Sequence, residues 1–137
     1  RPHMTAHSKS LAVALAGALF LAPSLAQDKG GSECSAMAKQ LDMNQCAQTE
    51  FTKADAEMNR LYKQQMSHLD ADGKKRLQAS QRAWLAYRDS ACLYETGTRE
   101  ESGSIWPMQN SLCQATLTRQ RNAILKAYVA CRQDGCP

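Results

Sequence analysis

Six cysteines, at positions 34, 46, 92, 113, 131 and 136, constrain this chain more than any other feature. An even cysteine set in a short chain that leaves the cytoplasm is a disulfide framework. Zinc sites use close Cys/His pairs such as C-x2-C, and no pair here is that close. A C-x-x-C redox motif, the usual setting for an activated thiolate, is also missing from the sequence. Neither a metal nor a cofactor is expected.

The beginning of the chain supplies the export signal. Arg1 to Met4 reads as an appended scar, with Met4 as the natural start. A polar stretch with Lys9 precedes an apolar run from Leu11 to Ala22, then Pro23-Ser24-Leu25-Ala26. Basic start, apolar core and small-x-small site make a cleavable signal peptide. The run is too short for a membrane span, which takes about 20 residues. No cysteine stands at the cleavage site, so no lipid anchor is expected. The expected organisation is a leader over 1–26, an arm over 27–43, a helical domain over 44–132 and a tail over 133–137. The implied location is periplasmic or secreted. Loss of Arg1 and Lys9 lowers the formal charge from +4 to +2, with 15 basic and 13 acidic residues left. Such a balance gives no strong pull toward nucleic acid or a membrane surface. Lys74, Lys75, Arg76 and Arg82 then read as a solvated helix start rather than a nucleic-acid patch.

Three helices follow from period. Ala47, Phe51, Ala54, Met58, Leu61, Tyr62, Gln65 and Leu69 recur at three- and four-residue steps from about Asn44 to Leu69, with Asp42 or Asn44 as the cap. The turn Asp70-Ala71-Asp72-Gly73 interrupts this pattern. A second helix is expected from about Lys74 to Thr96, ended by Gly97, with Leu77, Gln81, Trp84, Arg88 and Cys92 inward. A third runs from about Met108 to Arg132, with Leu112, Cys113, Thr116, Leu117, Gln120, Ile124, Tyr128 and Cys131 on one face. Between the last two, Gly97 to Pro107 reads as a long loop punctuated by Gly, Ser and Pro. The fold class is all-α, an antiparallel three-helix bundle stapled by disulfides.

Six cysteines allow 15 connectivities. Antiparallel packing favours Cys92 with Cys113, which would close the long loop. Cys34 with Cys46 would pin the arm, and Cys131 with Cys136 would clasp the C-terminus. Gln81 and Arg88 interrupt the inward stripe around Trp84. A buried arginine needs partners, and Asp55, Glu57 and Asp89 are the candidates, with Asn59 placed to bond Gln81. These residues are expected to form a structural hydrogen-bond network. A nucleophile set is lacking, because His68 stands alone once the leader leaves and the cysteines are paired. The chain is not expected to be an enzyme.

The same residues carry a family resemblance. Cys34, then Asn44-Gln45-Cys46-Ala47, then Ala54 to Asn59 and Tyr62 resemble the LprI-type lysozyme-inhibitor family. The run from Gln81 to Cys92 resembles its Q-x-x-W-x-x-Y-R-D-x-x-C signature, and Cys113 with Leu117 to Arg121 extends the match. Cys131 and Cys136 are additional to the usual set. The resemblance implies an envelope protein that binds and inhibits c-type lysozyme or another cell-wall hydrolase. The other reading is an envelope interaction module with an unknown partner and no lysozyme inhibition. An inhibitor of a cationic enzyme gains on-rate from negative charge. The expected binding segment is therefore the long loop, where Arg99, Glu100 and Glu101 stand near Trp106.

Overall fold

The computed structural model describes residues 29–137, so the leader and its cleavage site lie outside the described residues. Five α-helices account for most of these: α1 (Lys29–Ser35), α2 (Gln40–Ser67), α3 (Ala71–Thr96), α4 (Arg99–Ser102) and α5 (Trp106–Ala130). A 3-10 turn over Gly103–Ile105 joins α4 to α5. No strand occurs among the described residues. No described helix is long and apolar enough to cross a membrane.

The three long helices form the bundle. Contacts between α2 and α5 advance together along both, from Ser111 on Gln48 to Asn122 on Ala54 and Lys126 beside Glu57, so these two run parallel. Helix α3 runs against both, with Cys92 bonded to Cys113 and Arg88 reaching Asp55. The α2 boundary differs from its sequence expectation. The helix begins four residues before Asn44, and Lys39 stands at its N-cap without a side-chain bond. Asp42 lies inside the first turn, where a carboxylate favours the positive helix end. Helix α3 does have a side-chain cap, since the Asp70 carboxylate accepts from the Gly73 amide at 2.7 Å. It ends on Gly97, whose φ is 67°, in the left-handed region that glycine enters without a Cβ penalty.

The interior is not uniform along the bundle. Met58, Leu61, Leu77 and Leu125 make an apolar cluster, flanked by Tyr62, Met66, Leu69, Trp84, Leu85, Tyr128 and Val129. Toward the opposite end the buried residues become small or polar: Ala47 and Ala54 on α2, with Ser111, Ala115, Thr118 and Asn122 on α5. Met108, Ser111, Ala115, Thr118, Asn122 and Leu125 alternate three- and four-residue steps, the spacing of a bundle seam. That stripe corrects the expected inward face of α5. Gln120 and Ile124 are exposed, while Leu112, Thr116 and Leu117 are half-buried beside it. Small side chains let α2 and α5 approach closely, so the seam lies where alanine and serine fit rather than where leucine is most frequent. Ala115→Leu would force extra volume into this contact. It is expected to cost about 2 kcal/mol through overpacking. A lower urea midpoint with an unchanged slope would show it.

All six cysteines are paired: Cys34 with Cys46, Cys92 with Cys113, and Cys131 with Cys136. The first two bonds sit at the same end of the bundle, where α2 starts, α3 ends and α5 starts. The first ties α1 to α2.

Candidate functional site

Three groups of residues merit inspection: the polar layer around Trp84, the segment between α3 and α5, and the grooves. In the polar layer Arg88 is almost buried. Its Nη1 donates to Asp55 at 3.3 Å and to the Thr118 hydroxyl at 3.4 Å. Its Nε donates to Asp89 at 2.9 Å. The guanidinium also lies over the rings of Phe51 and Trp84, 5.1 and 5.6 Å from their centroids. Asp55 and Asp89 thus partner Arg88, whereas Glu57 turns to Arg60 and Lys126.

The expected bond between Asn59 and Gln81 is not formed. Asn59 is exposed and folds back to Asp55 on its own helix. Gln81 instead accepts from Arg121 Nε at 3.0 Å, and Arg121 also reaches Ser80. Arg121 was not singled out by sequence reasoning for this place. It lies two positions from Arg119, which pairs with Glu50 across the α2–α5 seam, and charge alone does not say which of the two turns inward. Burial pushes the Arg121 guanidinium below its ordinary value, partly offset by Tyr128. The group still carries its charge, because an arginine does not deprotonate in a protein. Trp84 is therefore in reach of two cations, Arg88 on one contact and Arg121 on another, the latter 5.9 Å from the ring centroid. Both distances suit a cation over an aromatic face. These bonds link α3 to α2 and α5 within the domain.

The segment between α3 and α5 is more ordered than the expected loop. Thr98 caps α4 by accepting from the Glu101 amide. In return the Glu101 carboxylate accepts from the Thr98 amide at 2.8 Å. The reciprocal pair is a capping box. The spacing Thr98-x-x-Glu101 was the signal for it. Trp106 Nε1 donates to the Gly97 carbonyl at 2.9 Å, and Arg99 lies over the Trp106 ring at 5.8 Å. Of the four residues expected to bind a partner, Arg99, Glu101 and Trp106 thus hold this segment together, and Glu100 is exposed. The backbone amide of Thr98 keeps the Glu101 carboxyl below its ordinary range. A carboxyl lowered by folding stabilises above the unfolded pKa and ceases to do so as pH falls through the folded value. Protection of the Thr98 amide, taken relative to its intrinsic exchange rate at each pH, is therefore expected to fall as pH drops below the ordinary carboxylate range. Glu101→Gln, which keeps an acceptor without a titrating proton, should abolish that pH dependence.

A groove of about 740 Å³ lies beside α1 at the end that carries the first two disulfides. Met108, Leu112 and Leu117 of α5 give it an apolar floor, and Glu95 stands at its side. No group of three His, Cys, Asp or Glu residues among the described residues is placed to hold a metal ion.

An uncharacterized protein of Rhizobium meliloti (strain 1021) is 36% identical over 107 residues, covering 69% of this chain and 76% of that protein. No solved structure matches the chain. The family model described as "Lysozyme inhibitor LprI" matches residues 32–125, from before the first cysteine into the last long helix. With that match spanning both inter-helix cysteine pairs and the whole polar layer, the chain belongs to the LprI family.

Proposed function

We propose that the chain is an extracytoplasmic binding protein that inhibits c-type lysozyme or a related cell-wall hydrolase. The family match over residues 32–125 carries this reading. Three supports are physical. An apolar leader with a small-x-small site directs export. Paired cysteines suit an oxidising compartment. A rigid, cross-linked bundle presents a preformed surface, which limits the entropy lost on association.

Inhibition here means occupying the hydrolase rather than acting on its substrate. The oxidised protein is expected to slow lysis of cell walls by c-type lysozyme at near-stoichiometric ratio. Unchanged lysis at a hundredfold excess would remove the reading.

A further inference from the structure

We propose that the end of the bundle bearing Cys34–Cys46 and Cys92–Cys113 is the docking face, and that its occupant is a folded protein with a cationic surface. This rests on the inhibitor reading above but assigns a surface that the reading does not.

The first observation is where apolar surface is left open. Seven large hydrophobic residues stand exposed among the described residues, and five of them, Met37, Leu41, Leu93, Tyr94 and Ile105, belong to this end. Tyr94 is 91% exposed and Leu41 65%. The packed apolar cluster of Met58, Leu61, Leu77 and Leu125 lies toward the other end. Single exposed hydrophobics are ordinary, but a concentration at one pole marks an interaction surface. Tyrosine is also among the residues that contribute most at interfaces.

The second observation is charge. From Arg88 to Trp106 the chain carries Asp89, which pairs with Arg88, and Glu95, Glu100 and Glu101 against one further cation, Arg99, which lies on Trp106. Lys39, at the start of α2, is matched by Glu33 and Asp42. Across the turn at the far end, from Arg60 to Arg82, the balance reverses, with Lys63, Lys74, Lys75 and Arg76 among the cations and Asp70 and Asp72 opposing them. A chain that is basic overall is thus acidic at the pole where its apolar side chains are exposed. At its C-terminal end helix α3 carries this polarity against its own dipole. Cations favour a helix end and anions a helix start. The start follows that rule, with Asp70 as cap and Asp72 in the first turn ahead of Lys74, Lys75 and Arg76, but Glu95 is in the last turn and no basic residue is there to offset it. Helix stability does not account for Glu95 at that position, whereas steering a cationic partner toward this pole does.

Leu93 and Tyr94 then supply apolar contact, and Glu95 and Glu100 steer and orient the partner's basic side chains. The groove between α1 and α5 opens beside Glu95 and gives the aliphatic stem of a lysine or arginine an apolar floor.

The test measures binding of c-type lysozyme to the oxidised full chain by surface plasmon resonance at low and moderate salt. Leu93→Ser/Tyr94→Ser is expected to weaken binding at least tenfold. Glu95→Gln/Glu100→Gln is expected to slow association severalfold at low salt and flatten its salt dependence. Ile124→Ser, an exposed apolar site on the other half of α5, should change neither. Melting curves confirm that each variant is folded. Lysozyme binding that survives both pole variants overturns the docking face while leaving the inhibitor reading intact. Failure of the unaltered chain to bind lysozyme removes that reading and this occupant together. A dimer of the unaltered chain that Leu93→Ser/Tyr94→Ser dissociates would show that a second copy covers this pole instead, and would also overturn the proposal.

Discussion

Replacing Cys92 and Cys113 together by alanine is expected to cost about 3 kcal/mol of stability, lowering the melting temperature by roughly 10–20 °C. The bond spans 21 positions of sequence and encloses the whole segment from the end of α3 to the start of α5. Without it, the unfolded chain regains the freedom of that loop, while the folded chain still holds it through the Thr98 capping box and the Trp106 bond to Gly97. Most of the loss is therefore on the unfolded side. Cys92 is fully buried, so its truncation adds a small packing defect. Removing Cys131 and Cys136 gives the contrast. That bond spans 5 positions at the edge of the domain. For so short a loop the same entropy relation gives about 2 kcal/mol. Calorimetry on the two alanine pairs, each compared with the oxidised parent, checks the ranking. An equal or larger loss for the C-terminal pair would show that loop closure is not what the central bond contributes.

The two disulfide-linked helix ends were legible because antiparallel packing has few ways to join consecutive helices. Helix α2 was legible for a different reason: its inward residues, Phe51, Met58, Leu61 and Leu69, include enough large apolar side chains to reveal the period. Helix α5 defeats the same procedure. Its seam is built from Ser111, Ala115, Thr118 and Asn122, and Leu112, Leu117 and Ile124 lie off it. Asn122 donates to the Ala54 carbonyl, and the Thr118 hydroxyl accepts from Arg88, so each of these polar residues enters the interior with a bond, while the buried Asn122 Oδ1 has no partner among the described residues. Reading for hydrophobicity rotates such a helix toward the wrong face. The capping box at Thr98 was present as a spacing, but Gly97, Gly103 and Pro107 around it gave the segment the composition of a loop. The acidic, apolar pole was the least legible part. Leu41, Leu93 and Ile105 are far apart in sequence, and only the fold brings their helix ends to one side of the molecule.

Arg88 offers a test of what holds the polar layer together. Arg88→Ala is expected to cost about 2–4 kcal/mol, from lost volume, two lost ring contacts and an unpaired Thr118 hydroxyl. The ion pair is the smaller part. The Arg88 side chain is 9% exposed, but that of Asp55 is 36% exposed and that of Asp89 58%. Both carboxylates recover water when the arginine is removed, so no buried charge is left uncompensated. Asp55→Asn should accordingly cost less than about 1 kcal/mol, since Asp89 remains and solvent screens the pair. Arg88→Met keeps much of the stem and its contacts with Phe51 and Trp84, and should recover about half of the alanine loss. Denaturant melts of the three variants separate packing from charge. If Asp55→Asn proves as costly as Arg88→Ala, with Arg88→Met no better, the salt bridge rather than the stacked guanidinium fixes the register of α3 on α2 and α5.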